Sequence, residues 1–122
     1  MPTVREAAFR VFEHFGVDRL FGNPGSTELP MLKAMPEGFR YVLGLNEAVV
    51  VAMADGFARS SGKPALVNLH SSAGTGHSLG NLFTAYKNNA PVIAVILIYV
   101  LFRINRDEAS VLDRARAAGE SL

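Results

Sequence analysis

Three side chains in this sequence have the chemistry of an acid–base site: Glu47, His70 and Ser26. Glu47 opens "NEAVVVAMADGFAR", in which every residue from Ala48 to Ala54 is apolar. An acid in a first helical turn answers the helix dipole, which is a purely structural role. The run behind it, however, reads as a helix apolar all round and therefore buried. A carboxylate in such surroundings has its charged form disfavoured, which suits a group that shares a proton with a ligand. His70 ends "ALVNLH" and precedes Ser71, Ser72 and a glycine-rich stretch. An imidazole at a strand end is either a hydrogen-bonded packing residue or an acid–base group. Ser26, after "GNPG", has the form of a helix cap and can also offer its hydroxyl to a ligand.

Two other motifs suggest different chemistry and do not hold. "GHSLG" fits the G-x-S-x-G nucleophile elbow, with Ser78 as nucleophile. In that fold the triad histidine follows the serine, whereas the histidines here are His14, His70 and His77. The elbow also needs a strand running directly into the serine, and the strand candidate stops near His70. Glycines 74, 76 and 80 approach a dinucleotide loop, but Leu79 stands where a small residue is required. His70 and His77 lack acidic neighbours at ligand spacing, so no metal site can be assembled from this chain alone.

The elements that position these residues alternate. Val4, Ala7, Ala8, Val11, Phe12 and Phe15 form the stripe of an amphipathic helix, with Thr3 and Glu6 as a capping box and Gly16 as its stop. "DRLFG" reads as a strand that breaks at "GNPGS", and a short helix runs through "TELPMLKAM". "FRYVLGL" is the next strand, and Asn46 caps a helix from Glu47 to about "SSGKP". "ALVNLH" is a third strand, "SSAGTG" a third loop, and "HSLGNLFTAYKNN" a helix. "APVIAVILIYV" is a fourth strand, buried on both faces if its apolar run is taken literally. Such alternation implies a parallel β-sheet flanked by helices. The loops "GNPGS", "GLNE" and "HSSAGTG" all follow strand C-termini, so they share the sheet edge where open α/β sheets bind ligands.

Composition narrows the classes. The length of 122 residues, 49% of them hydrophobic, fits one globular domain. Twelve Lys and Arg balance 11 Asp and Glu, so no long-range field steers nucleic acid or an anionic membrane. With no cysteine there is no disulfide, thiolate metal site or cysteine nucleophile. The start "MPTVREAAFR" lacks the apolar core of a secretory signal, and "APVIAVILIYVLF" is shorter than the roughly 20 residues of a membrane-spanning helix, so a cytoplasmic protein is expected.

Taken together, "FGNPGSTELPML", "NEAVVVAMADGFARSSGKPALVNLHSSAGTG" and "NLFTAYKNNAPVIAV" resemble the N-terminal, pyrimidine-binding domain of thiamine-diphosphate-dependent enzymes. Within that family the likeness is to the benzoylformate decarboxylase branch; the "GNPGS" and "NLHSSAGTG" loops set it apart from the acetolactate synthase branch. The resemblance covers residues 1–95 as a partial domain of the thiamine-diphosphate-binding fold, truncated after about four strands, and leaves 96–122 as an unmatched tail. It implies that Glu47 bonds the cofactor's aminopyrimidine and relays a proton, that His70 acts as acid or base on bound intermediates, and that Ser26 bonds the substrate carboxylate. Asn23, Pro24, Gly25, Gly74, Thr75 and Gly76 would line the cofactor site.

The implied reaction converts a 2-oxo acid to an aldehyde and carbon dioxide. Thiamine diphosphate is the cofactor, with Mg2+ held by a domain that this sequence lacks, and the family's enzymes are homo-oligomers. The expectation is therefore a fragment that is silent alone. Its rivals are a binding module that pairs with a separate diphosphate-binding subunit and a piece of an acetolactate-synthase-like carboligase. The chain departs from the resemblance at His77, where asparagine is expected, and after Val95. Asp55 in "ADG" and the "NN" at 88 and 89 imitate the family's metal and diphosphate motif, but Asp55 falls inside a helix.

Overall fold

The computed structural model describes residues 3–26 and 28–97. Four strands, β1 (Arg19–Gly22), β2 (Arg40–Leu43), β3 (Ala65–His70) and β4 (Val92–Leu97), form one sheet in the order β2-β1-β3-β4. All three pairings are parallel, with Leu20 opposite Tyr41 and Leu66, and Asn68 opposite Gly22 and Val95. Helices α1 (Val4–His14), α2 (Leu29–Leu32), α3 (Glu47–Ser61) and α4 (Ser71–Lys87) connect and cover them.

Sequence dictates the ends of these helices. Thr3 Oγ1 accepts from the Glu6 amide at 3.2 Å while Glu6 Oε2 accepts from the Thr3 amide at 2.7 Å, the reciprocal box that starts α1. Asn46 Oδ1 accepts from the Ala48 amide at 2.8 Å, so α3 begins at Glu47. Gly62, at φ +69°, ends it in the left-handed conformation that glycine adopts most readily.

Each face of the sheet has its own core. Phe21, Val67 and Leu69 pack with Val50, Val51, Ala54 and Ala58 of α3. On the opposite face Leu20 and Leu66 pack with Val17, Phe12 of α1, and Met31 and Leu32 of α2. After β1 the chain crosses outward to β2, and after β3 it crosses the other way to β4. The C-terminal ends of β1 and β3 therefore flank the point where the winding reverses, which is where such sheets open a crevice.

Four expectations about local structure need correction. "SSAGTG" is not a loop: α4 begins at Ser71, which sits at φ +58° and turns the chain from strand to helix without a connecting residue. Gly74 and Gly76 are weak helix formers, and packing overrides that preference, because Gly74 and Ser78 are both buried. β4 is not buried on both faces: Ala94 is exposed and Ile96 is 38% exposed, since β4 is an edge strand of the described sheet. α3 is not buried all round either, with Val49 and Ala52 on its outer side. Finally α2 is a single turn of four residues.

Ser78 lies in the middle of α4, where its hydroxyl donates to the Thr75 carbonyl at 2.9 Å, so it is no nucleophile elbow. Asp55 is a structural clamp between helices, accepting from Asn88 Nδ2 at 3.1 Å and facing Arg59 at 3.7 Å. No helix among the described residues is long and apolar enough to cross a membrane. In the tail, Ala109, Leu112 and Ala115 have the spacing of a weak helical stripe, which lies outside the described residues.

Candidate cofactor and acid–base site

Glu47 stands at the first position of α3, and its carboxylate is nearly buried, the residue being 8% exposed. Its position is set from three sides. Gly44 lets the chain turn tightly before the helix, since a Cβ there would lie 2.6 Å from Val50 Cγ2. Asn81 of α4 donates to the Ala48 carbonyl at 2.6 Å and pins the first turn of α3. Gly74 of α4 makes room for the carboxylate itself, because a Cβ at that position would lie 2.8 Å from Glu47 Cγ and 2.9 Å from Oε1. Asn23, just after β1, donates to Oε1 at 3.4 Å. Among the described residues Oε2 has only His77 Nδ1, at 3.9 Å, beyond hydrogen-bonding distance. One acceptor oxygen of a nearly buried acid is thus left for something else.

A second cluster lies at the end of β3. His70 Nδ1 is 2.9 and 3.0 Å from the two oxygens of Glu28, whose side chain is completely buried. Glu28 Oε2 also accepts from the Gly25 amide at 2.8 Å. A buried carboxylate requires such partners. With Nδ1–H donating to Glu28, the imidazole keeps Nε2 as the nitrogen that can take or give a proton. Gly25 supports the same ring sterically, since a Cβ there would overlap the imidazole of His70.

The loop after β1 touches both clusters, through Asn23 at Glu47 and Gly25 at His70. Glu47 and His70 are thereby joined at one sheet edge, as the topology implied. Ser26 follows on that loop, exposed and without a side-chain hydrogen bond among the described residues, and Pro24 is half-buried beside it. Thr75 Oγ1 donates to the Ser71 carbonyl at 2.9 Å within its own helix, and Gly76 faces open space. Glu28 escaped the sequence reading. An acid just before "LPML" looks like a helix-start residue, and the signal available was that its loop shares the sheet edge with His70.

The family described as "Thiamine pyrophosphate enzyme, N-terminal TPP binding domain" matches residues 2–97. The chain belongs to this family. This TPP-binding domain is 53% identical over 93 residues to benzoylformate decarboxylase of Pseudomonas aeruginosa, covering 76% of this chain and 18% of that protein. It is 34% identical over 82 residues to the acetolactate synthase large subunit of Haemophilus influenzae, covering 66% of this chain and 14% of that protein. Among solved structures it superimposes on benzoylformate decarboxylase from Polynucleobacter necessarius with a TM-score of 0.75 and 48% identity, covering 79% of this chain and 18% of that one. The 4-hydroxybenzoylformate decarboxylase of Rhodococcus jostii gives 0.74 and 42%, covering 78% and 18%. The chain thus spans less than a fifth of the length of these relatives.

The residues of this TPP-binding domain fit one half of thiamine diphosphate. A nearly buried carboxylate with one unbonded oxygen, backed by a glycine, suits the nitrogen-rich edge of an aminopyrimidine. Among the described residues no group of three or more His, Asp or Glu side chains could hold a metal ion.

Proposed function

We propose that this chain is the pyrimidine-binding part of a thiamine-diphosphate-dependent 2-oxo acid decarboxylase that converts an aryl 2-oxo acid such as benzoylformate to an aldehyde and carbon dioxide. The observation that carries the reading is the Glu47 carboxylate, fixed by Asn23 and Gly74 with its second oxygen unbonded at the sheet edge. When bound, thiamine diphosphate supplies a carbon nucleophile and an electron sink for the loss of carbon dioxide. Glu47 holds the aminopyrimidine and passes a proton to and from its ring nitrogen. His70, held by Glu28, moves protons at Nε2 to and from the reacting group, and Ser26 offers its hydroxyl to the substrate carboxylate. Asn23, Pro24, Gly25, Gly74, Thr75 and Gly76 would line the cofactor's binding site.

In this reading the diphosphate and its Mg2+ are bound by protein outside this chain, and the assembled enzyme is a cytoplasmic homo-oligomer. Support comes from the outer faces of α3 and α4, where Val49, Leu79 and Phe83 are 52%, 59% and 61% exposed. Glycines 56, 76 and 80 on the same helices face open space, which allows another backbone to approach closely. A neighbour on this side would cover the apolar residues and close the site over Glu47.

The test is a hybrid in which residues 2–97 replace the matching part of the Pseudomonas aeruginosa enzyme. With thiamine diphosphate and Mg2+ the hybrid releases carbon dioxide from benzoylformate, while the 122-residue chain alone does not. A hybrid that assembles and binds cofactor yet turns over nothing overturns the reading. Formation of acetolactate from pyruvate in place of decarboxylation supports the carboligase alternative, which the Haemophilus similarity keeps in play.

A further inference from the structure

The sheet carries buried polar atoms that the acid–base site does not explain. The Tyr41 hydroxyl and both amide atoms of Asn68 have no hydrogen-bond partner among the described residues, and Asn68 is only 1% exposed. Both side chains project on the face covered by α1 and α2: Tyr41 is opposite Leu20 and Asn68 is opposite Gly22, on the side where Leu20 packs. Gly22 lies between them on β1. The Tyr41 hydroxyl occupies the place its Cβ would take, and the Asn68 carbonyl is 3.5 Å from that point.

A glycine at the end of a central strand marks a spot that another group must approach closely. Here that group is the phenol, which reaches across β1 toward β3. Two residues further along β3, on the same face, stands His70 with the buried Glu28 carboxylate against its Nδ1. Burial, and then the charge of Glu28, push the Tyr41 hydroxyl up to about 12, so the phenol keeps its proton and remains a donor.

An amide with all its hydrogen bonds unmade, next to a phenol with none, is not a dry arrangement that folded proteins tolerate. It is the setting in which they retain internal water, a polar space with several partners for each molecule. We propose that ordered water fills the space between Tyr41, Gly22 and Asn68 and carries a hydrogen-bonded chain to the Glu28 carboxylate, making Tyr41 and Asn68 positioning residues for the Glu28–His70 pair. Donors delivered to that carboxylate fix its orientation and favour its role as acceptor from Nδ1–H. The chain therefore sets the tautomer of His70 from two residues back along the same face of the sheet.

The catalytic consequence rests on His70 being the acid–base group proposed above, but the water chain belongs to this polypeptide alone and is tested without turnover. The experiment is solution NMR of the 122-residue chain, with water-to-protein cross-relaxation at Asn68 and imidazole nitrogen spectra of His70. The expected result is long-lived water at the Asn68 side-chain amide and a protonated Nδ1 on His70. Tyr41→Phe and Asn68→Leu each shift or abolish that Nδ1 proton signal. Val67→Ala, which loosens the opposite face, leaves it in place. Absence of bound water at Asn68 in the unaltered chain, or unchanged His70 signals in the folded variants, overturns the proposal. If Asn68→Leu does not fold, Tyr41→Phe, which removes one oxygen, and the water measurement decide together.

Discussion

Two glutamates reach the same sheet edge and are treated in opposite ways. Glu28 is completely buried, with a His70 nitrogen within 3.0 Å of both its oxygens and the Gly25 amide on one of them. Glu47 is nearly as buried, yet only one of its oxygens is held, by a 3.4 Å bond from Asn23. A carboxylate held at both oxygens is committed to the protein, where it orients a neighbour and contributes to stability. An undersaturated one lowers stability unless a ligand completes it, which is the signature of a binding or catalytic group. Burial alone did not separate the two; the count of hydrogen bonds to each oxygen did.

The contrast has measurable consequences. The largest is expected when the room around Glu47 is removed. Gly74→Val in the hybrid enzyme drives side-chain atoms into the carboxylate, and displacing a reacting group by about 1 Å costs on the order of a hundredfold in turnover. Unchanged decarboxylation with an intact circular dichroism spectrum would show that the position of Glu47 does not matter. Next comes stability measured by urea unfolding of the chain. Glu28→Gln, which weakens charge-assisted bonds to His70 and Gly25, lowers it by about 2–3 kcal/mol. Glu47→Gln leaves it within about 1 kcal/mol of the parent, because losing the contribution of an acid in a first helical turn is offset by relief of a nearly buried, half-bonded charge. The reverse order would erase the distinction.

Smaller effects are expected away from the site. Thr3→Ala removes the α1 cap and lowers stability by about 1 kcal/mol while leaving His70 signals unchanged. The pH dependence of unfolding reports a third kind of carboxylate, structural and away from the site: half-buried Asp18 and exposed Glu6. The hydrogen bond from Lys63 holds the Asp18 carboxyl below its usual range, and the backbone amide of Thr3 does the same for Glu6. Because both folded-state values are lowered, their stabilisation is present above the ordinary carboxylate range and disappears as the pH falls through the lowered values, below about pH 4. A melting temperature that rose on acidification through that range would contradict this assignment.

Particular residues show how far a sequence can be read. Asn46 before Glu47, and Gly62 after Ser61, are local signals, and α3 begins and ends where they stand. The alternation of strands and helices placed "GNPGS" and His70 on one edge because topology follows from element order. What escaped was tertiary in origin. The helical start at Ser71 overrides two glycines because Gly74 must lie against Glu47. The exposure of Ile96 depends on which strand is at the sheet's edge, a fact its apolar run does not contain. Glu28 was invisible as a partner because the imidazole it holds, His70, is 42 positions away in the chain.

The most direct measurement is decarboxylation of benzoylformate by the hybrid enzyme and by its Glu47→Gln form, with thiamine diphosphate binding followed in both. Replacing the acid that relays a proton is expected to lower the rate by at least about a hundredfold while the hybrid stays folded and assembled. A Glu47→Gln hybrid that retains the parent rate would contradict the assignment of Glu47 as the residue that this domain brings to the cofactor.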